Sequence, residues 1–346
     1  IQTLSYQDNA VSSAWSCDGS TEFKITKGKR KTRGTDIILH IAEDSLSFNE
    51  SFKIKQLLEK YCKFLPISIE FEGAIINADK PLWMSKPSDL KDEDYTAFYQ
   101  KLYPFAPAPL FWIHINVDYP FNLTGILYFP KIGSAIEADK HKVQLYSNQV
   151  FVTDNVKDVL PEFLMLLHGV IDSPDIPLNV SRSSLQSDTN VKKITTHISK
   201  KVADKLSELF KQSRTDFESK WSNIDLFVKY GMLSDEKFAE KAKEFCLLTD
   251  AQDKSYTIED YKQNIAALQT DKSGQMVVLY TNHLEEQYAY VKAAESRGYS
   301  VLKLEGPLDN HFTAFLEQHN DKLQCKRVDA DALDKLIPHD KIETAL

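Results

Sequence analysis

The chain has 346 residues, of which 42% are hydrophobic and 11% aromatic, so it can bury a large core and is expected to form two or three packed units. Its 42 Lys and Arg residues are outnumbered by 50 Asp and Glu residues, which leaves a net charge of -8 at pH 7. Because such a charge repels nucleic acid and anionic membranes, we expect neither as a partner.

One basic run, KGKRKTR at residues 27–33, interrupts this acidic background. It lies between two strand-like segments, where it could be a solvated hairpin loop or a binding site for a polyanion. The hairpin loop is the favoured interpretation, because runs of like charge usually lie in solvent.

Four cysteines are scattered along the chain, at Cys17, Cys62, Cys246 and Cys325. They have neither the spacing of a zinc knuckle nor that of a disulfide framework. We therefore expect no metal site and a reducing, cytoplasmic environment.

The most apolar stretch, residues 159–171, contains Pro161, Glu162 and His168 and is shorter than the roughly 20 residues of a membrane-spanning helix. The sequence starts without Met and without the basic and apolar regions of a signal peptide. We expect a fragment of a longer protein.

Apolar or alternating runs between residues 23 and 153 predict β-strands. They read FKIT, TDIILHI, ISIEFE, FWIHINV, LTGILYF, VQLYS and VFVT. Two helical patterns lie among them, NESFKIKQLLEKYCKFL and SDLKDEDYTAFYQKLY, and Ser88 or Asp89 is a candidate N-cap of the second. This part of the chain is predicted to be mixed α/β.

A helical region follows Gln186. Its first helix carries one apolar stripe at 3.6-residue periodicity, formed by Val191, Ile194, Ile198, Val202, Leu206, Leu209 and Phe210. Further helical patterns run from Trp221 to Tyr230 and onward from Ser234, a candidate cap. We predict a short helical bundle that links two lobes.

The last region opens with a capping-box pattern at residues 257–260, TIED, and then alternates strand and helix patterns. One helix is predicted from Leu284 to Arg297 with Gly298 just after its end, and another from Leu308 to His319. The β-α-β-α-β order predicts a small parallel sheet. No glycine-rich phosphate loop is present in the sequence, so a self-contained nucleotide site is not expected.

Signals for catalysis are sparse. His114 alternates within a strand, and a structural role is favoured over a metal-ligand role. Asp92, Glu93 and Asp94 fall in the first turn of a helix, where the helix dipole already favours carboxylates. The chain does not have the pattern of a complete enzyme.

Arg182 stands between the proline-bounded segment PLNV and a long amphipathic helix expected to begin near Asp188. Its guanidinium could bind an anion that another part of the protein supplies. From spacing alone, a structural role is favoured over that one, in which Arg182 caps backbone carbonyls or pairs with a nearby carboxylate such as Asp175 or Asp188.

Three stretches resemble the middle domain of the ninety-kilodalton heat-shock chaperones of the HtpG type. They are KPLWMSKPSDLKDEDYTAFYQKLY, GILYFPK and LYSNQVFVTDNVKDVLPEFLMLLHGVIDSPDIPLNVSRSSLQ. Two further stretches, AWSCDGSTEFKI and RGTDIILHI, are similar to the last strands of the amino-terminal ATPase domain of that family.

The resemblance implies roles for four residues. Arg182 matches the arginine that reaches the γ-phosphate of ATP, Gln186 the glutamine that accompanies it, and Asn179 lies in the same catalytic loop. Trp83 matches an exposed tryptophan implicated in client contact, with a half-buried structural tryptophan as the alternative. The segment after GILYFPK offers only Ile132 and Ile136 where eukaryotic relatives carry aromatic residues, so a role assigned to those aromatics does not transfer.

The same resemblance implies a fold class and a domain order. The expected fold is α/β, with a larger mixed lobe, a helical linker bundle and a smaller β-α-β-α-β lobe, preceded by the last strands of a truncated ATPase domain. The expected boundaries are 1–42 for those strands, 43–187 for the larger lobe, 188–255 for the linker, 256–335 for the smaller lobe and 336–346 for the start of a connection to a dimerisation domain.

The function implied by the resemblance is that of an ATP-dependent molecular chaperone. ATP with magnesium would be bound by the amino-terminal domain of the full-length parent, a weak ATPase, and not by this fragment alone, which is expected to be inactive. The implied partners are unfolded or partly folded client proteins, the ATPase domain of the same chain, and a second copy joined through a carboxy-terminal domain. The alternative is a non-catalytic scaffold or adaptor module in which Arg182 pairs internally.

Overall fold

The computed structural model describes residues 1–5, 7, 9–131, 142–157, 160–176 and 189–337. Contacts divide it into two compact units, Ile1–Lys60 with Ile69–Ile76, and Tyr61–Ser68 with the described part of Asn77–Leu346. The mixed α/β fold class is confirmed, because both strands and helices are found and several sheets form. The domain boundaries predicted from the sequence stay predictions.

The first unit contains a four-stranded antiparallel sheet in the order β3-β2-β1-β4. Its strands are β1 (Gln2–Leu4), β2 (Ser13–Cys17), β3 (Phe23–Lys27) and β4 (Gly34–Asp36). Helix α1 (Ser51–Tyr61) follows, and the short strands β5 (Glu70–Phe71) and β6 (Ala74–Ile75) pair with each other.

The basic run at residues 27–33 is not a hairpin loop, which corrects the prediction. Strands β3 and β4 lie at opposite edges of the sheet, so the run crosses between edges. Arg30 forms an ion pair with Asp36 and donates to the carbonyl of Thr32, and these contacts hold the crossing segment against β4. The path of this segment follows from the position of β1 between β2 and β4. That pairing joins residues far apart in the chain, so the local sequence does not predict it.

The second unit is built on a five-stranded mixed sheet in the order β10-β9-β11-β8-β7. Its strands are β7 (Phe111–Val117), β8 (Leu123–Phe129), β9 (Lys142–Ser147), β10 (Val150–Thr153) and β11 (His168–Asp172). The β9–β11 pair is parallel and the other neighbours are antiparallel. The predicted strands from FWIHINV to VFVT are therefore confirmed, whereas β11 lies in a segment for which no strand was predicted.

Side chains alternate between the two faces of this sheet, as the strand geometry requires. On β8, Ile126 and Tyr128 pack with the aromatic residues of helix α2 (Asp92–Leu102), while Leu127 and Phe129 join the core formed with the helical region. The sheet is thus covered on both faces.

Glycine allows β8 and β11 to approach closely. Gly169 has φ +137°, and a Cβ there would lie 2.0 Å from the carbonyl oxygen of Ile126. A Cβ on Gly125 would lie 2.5 Å from the carbonyl oxygen of Val170. Any larger residue at either position would collide with backbone.

Three helices follow in the region predicted to be helical: α3 (Thr189–Gln212), α4 (Arg214–Ser234) and α5 (Glu236–Ala242). The predicted stripe on α3 is confirmed, since its members from Val191 to Leu206 are at most 5% exposed and Leu209 and Phe210 pack against the same core. Strands β12 (Leu247–Thr249) and β13 (Ser255–Thr257) then pair antiparallel.

The last part confirms the predicted parallel sheet, with β14 (Met276–Thr281) between β15 (Val301–Lys303) and β16 (Leu323–Arg327). Its helices are α6 (Ile258–Ile265), α7 (Tyr288–Glu295), α8 (Asp309–His319) and α9 (Leu333–Leu336). The capping box of α6 is confirmed by Thr257 and Asp260, and Gly298 has φ +80° after α7.

Two predicted helix caps are wrong. Helix α2 begins at Asp92, and the backbone N–H of Lys91 donates to Oδ2 of Asp94 over 2.9 Å, so neither Ser88 nor Asp89 caps it. Ser234 ends α4, and the Asp235 side chain accepts from the N–H of Phe238 at the start of α5. In both cases a polar residue closer to the first turn supplies the capping contact.

Candidate functional site

The candidate site is the segment at residues 177–188, which contains Asn179, Arg182 and Gln186 and which the family resemblance implies to be a catalytic loop. These three residues lie outside the described residues. The structure does describe both flanks of the loop, which are β11 with residues 173–176 before it and α3 after it.

The segment before the loop is tied to the turn between β7 and β8. Ser173 is fully buried, its Oγ donates to the carbonyl of Asn122 over 2.6 Å, and its N–H donates to the carbonyl of Tyr146 over 3.1 Å. Ile176, the last described residue before the loop, is 3% exposed and belongs to the main core. The chain therefore enters the loop from a fixed position.

Asp175 adds a charged contact between the segment before the loop and the turn between β7 and β8. Its Oδ2 accepts from the backbone N–H of Asn122 over 2.6 Å and lies 3.3 Å from the Asn122 side-chain amide. Asp175 is one of the two residues that the alternative interpretation pairs with Arg182, and Asp188, the other, lies outside the described residues. Among the described residues, Asn122 binds the Asp175 carboxylate.

Helix α3 follows the loop and packs on the turn between β7 and β8. His197 meets the ring of Phe121 edge-on, with ring centroids 5.6 Å apart. Burial lowers the pKa of His197, and the neighbouring Lys201 and Lys200 lower it further.

Trp83 is a core residue, which corrects the expectation of an exposed indole. Its side chain is 0% exposed, and its ring lies 4.8 Å from that of Phe64 and 5.1 Å from that of Tyr146 between centroids. The indole lies in a short 3₁₀ helix, Leu82–Met84, that packs on β7 and β8. A side chain with this burial cannot touch a client without local unfolding.

The indole of Trp83 has a charged partner. Its Nε1 donates to Oδ2 of Asp172, the last residue of β11, and the N–H of Gln149 donates to the same oxygen over 2.9 Å. Burial raises the pKa of the Asp172 carboxyl, and these hydrogen bonds oppose the shift. The pair joins the Trp83 segment to the strand that leads into the loop.

The structural interpretation of His114 is confirmed. Its Nδ1 lies 2.8 Å from the Tyr95 hydroxyl and its Nε2 lies 3.2 Å from the Trp83 carbonyl. Burial lowers the pKa of His114, although the contact with the Trp83 carbonyl opposes it. Asp92, Glu93 and Asp94 occupy the first turn of α2, as predicted.

Among the described residues, no group of three or more His, Cys, Asp or Glu side chains could hold a metal ion. The four cysteines are free, and burial raises the pKa of Cys246 to about 12. No helix in the described part of the chain is long and apolar enough to cross a membrane.

Asn122 and Ser173, the two residues that hold the segment before the loop in place, were not identified from the sequence. Neither belongs to a motif, and their contact joins positions 51 residues apart in the chain. The local signal was that the predicted strands FWIHINV and LTGILYF end on either side of Asn122, which indicates a turn between them.

Comparison with known proteins identifies the family to which this chain belongs. The family described as Hsp90 protein matches residues 68–340, which is more than half of the chain. The chain therefore belongs to the Hsp90 family.

Relatives within that family include proteins named chaperone protein HtpG. Those of Bacteroides thetaiotaomicron and Porphyromonas gingivalis are 53% and 52% identical to this chain, each over 97% of the chain and 52% of the relative. That of Roseobacter denitrificans is 32% identical over 77% of the chain and 42% of the relative. The chain spans about half the length of the curated relatives it matches.

Proposed function

We propose that this chain is the middle part of an ATP-dependent molecular chaperone, and that Arg182 contacts the γ-phosphate of ATP bound by an amino-terminal domain of the same protein. The observation that carries the proposal is the Hsp90 family match over residues 68–340, which includes the whole of the 177–188 loop. Relatives that align over 97% of the chain are named chaperone proteins.

The residue types in the loop suit this chemistry. ATP with magnesium, when bound, supplies the phosphoryl group, and negative charge spreads over its oxygens during transfer. The guanidinium of Arg182 offers planar, charge-assisted donors that do not titrate, which lysine cannot reproduce. Gln186 and Asn179 would add neutral amide contacts, which are weaker.

The flanks of the loop support a presenting role. Ser173 and Ile176 before it and Val191 after it are at most 5% exposed, so both ends of the loop are fixed to one core. A side chain carried between two fixed ends can meet a partner domain at low entropic cost.

The partners proposed with this function are unfolded or partly folded clients, the ATPase domain, and a second copy that binds through a carboxy-terminal domain, all in the cytoplasm. Trp83 is not proposed as a client contact, because it is fully buried. The chain by itself is proposed to bind no ATP.

Single-turnover ATP hydrolysis by the full-length dimer tests the proposal. Arg182→Ala should leave ATP affinity nearly unchanged and reduce the rate by about 10²-fold or more, on the scale of other transition-state donors. Arg182→Lys should recover only part of that loss, and Gln186→Ala should act in the same direction more weakly. A wild-type rate from Arg182→Ala would refute the phosphate contact and favour a scaffold role.

A further inference from the structure

Residues 103–110, YPFAPAPL, form a loop between α2 and β7, which we call the Phe105 loop. The Phe105 ring is fully exposed, and no other large hydrophobic side chain in the described part of the chain is as exposed. Single exposed apolar residues are common, so exposure alone does not indicate a binding site. The geometry, rigidity and charge of this loop add to it.

A β-turn places Phe105 at the tip of the loop. The N–H of Ala106 donates to the carbonyl of Tyr103 over 3.1 Å, and Pro104 and Phe105 are the two central residues of the turn. Proline favours the first central position of such a turn because its ring fixes φ. Tyr103 and Ala106 pack against the aromatic core beside α2, so the turn directs only Phe105 away from that core.

Both ends of the loop are anchored to the five-stranded sheet. The Tyr103 hydroxyl donates to the carbonyl of Gly169 over 3.2 Å and accepts from the N–H of Gly169 over 2.8 Å. The N–H of Leu110 donates to the carbonyl of Phe129 over 2.8 Å. The loop is therefore a fixed projection from the sheet.

Prolines restrict the backbone between these anchors. The rings of Pro104, Pro107 and Pro109 fix φ at three positions, and Ala106 and Ala108 each precede a proline, which disfavours helical conformations. A loop with so few accessible conformations loses little entropy when a partner binds it.

The loop and its surroundings in the sequence carry no charge. Residues 102–113 contain no Asp, Glu, Lys or Arg, whereas 27% of the whole chain is charged. A charged segment that covered the Phe105 ring would lose hydration without gaining an ion pair from the loop. The loop therefore favours a partner segment that is apolar and uncharged.

We propose that the Phe105 loop binds apolar, uncharged segments of unfolded client proteins, with the Phe105 ring as the main contact. The proposal rests on the chaperone function proposed above, and it assigns client contact to a surface residue where Trp83 is buried. Unfolded chains expose apolar segments that folded proteins bury. An exposed aromatic ring on a rigid support has the properties of an interface hot spot, because it buries a large apolar area at low entropic cost.

Fluorescence anisotropy with labelled, reduced and carboxymethylated α-lactalbumin, which stays unfolded, measures client binding by the full-length protein. Phe105→Ala should weaken binding about tenfold, on the scale of an interface hot spot. Phe105→Leu should retain most of the affinity, because leucine keeps a large apolar side chain. Both variants should keep the wild-type urea midpoint, since Phe105 is fully exposed.

Two controls accompany this measurement. Tyr290→Ala removes another exposed aromatic side chain, on α7, and should leave the affinity unchanged. The ratio of the wild-type and Phe105→Ala affinities should be the same at low and high salt, because the loop is uncharged and salt screens only charge interactions.

The outcomes separate this inference from the proposed function. Failure of the wild-type protein to bind the probe would refute the client role in the proposed function. Binding by the wild type with equal binding by Phe105→Ala, or an equal loss in Tyr290→Ala, would overturn the role of the loop and leave the client role standing. A changed oligomeric state of Phe105→Ala in sedimentation, with client binding unaltered, would assign the loop to contact between copies and would also overturn the inference.

Discussion

The indole Nε1 of Trp83 donates a hydrogen bond to Oδ2 of Asp172 over 3.1 Å, and the two residues are 0% and 4% exposed. A tryptophan that the family resemblance assigns to the surface is therefore bonded to a buried carboxylate. Asp172 is the last residue of β11, the strand that precedes the segment with Arg182.

Replacing Trp83 should destabilise the fold. We expect Trp83→Ala to lower the free energy of unfolding by about 3–5 kcal/mol, because it empties a packed aromatic site and removes a donor from Asp172. Urea unfolding of this chain measures the change. The neighbouring Met84→Ala, at a side chain that is 50% exposed, should change the free energy of unfolding by less than about 0.5 kcal/mol.

A Trp83→Ala protein with the wild-type urea midpoint would show that the indole does not support the core. If the core role holds, any loss of client binding by this variant should follow its loss of folded protein.

The Asp172 carboxyl should leave a signature in the pH dependence of stability. Its pKa in the folded state is raised above the ordinary value of 3.8 by burial, so the folded protein holds this proton more tightly than the unfolded chain. The contribution of Asp172 therefore falls as pH rises from 3.8 through the folded-state pKa and is constant above it. Asp172→Asn removes this dependence.

The measurable quantity is the free energy of unfolding of Asp172→Asn minus that of wild type. It should rise with pH through this window and then level off. Carboxyls with lowered pKa values, such as those of Asp260 and Glu244, act in the opposite direction but cancel in the difference. A flat difference for Asp172→Asn would contradict the prediction.

Local pattern was enough to predict the fold class, β7 to β10 and the small parallel sheet, because alternation and capping act over a few residues. It did not predict β11, whose five residues are all buried and so show no alternation. The burial of Trp83 depends on a partner 89 positions away, which spacing cannot reveal. The roles proposed for Arg182, Gln186 and Asn179 rest on the family resemblance, since no local motif distinguishes a phosphate-binding arginine from a paired one.

A buried ion pair joins α4 to α8. Nζ of Lys229 lies 2.6 Å from Oδ1 of Asp309 and 3.6 Å from Oδ2 of Asp225, and the side chains of Lys229 and Asp309 are 8% and 4% exposed. The other oxygen of Asp309 accepts from the N–H of Gly306 over 2.8 Å. Burial acts to lower the pKa of Lys229, but Asp309 and Asp225 raise it by more, so the ammonium stays charged.

Removing only the cation should be costly. We expect Lys229→Met to lower the free energy of unfolding by about 3–5 kcal/mol, because Asp309 would remain buried without a counter-charge. Adding Asp309→Asn should recover most of this loss, since the amide is neutral and its oxygen can still accept from Gly306.

Urea unfolding of the two single variants and the double variant measures this coupling. Lys205→Met is the matched control, because Lys205 pairs with Glu208 at 3.3 Å and the two side chains are 29% and 51% exposed. The loss of this solvent-accessible pair should cost less than about 1 kcal/mol. Equal losses from Lys229→Met and Lys205→Met, or losses in the double variant that simply add, would mean that the buried charge is compensated by something other than Asp309. Recovery in the double variant would instead show that the cost of Lys229→Met is the unpaired carboxylate and not the missing methylene packing, since methionine retains most of that packing.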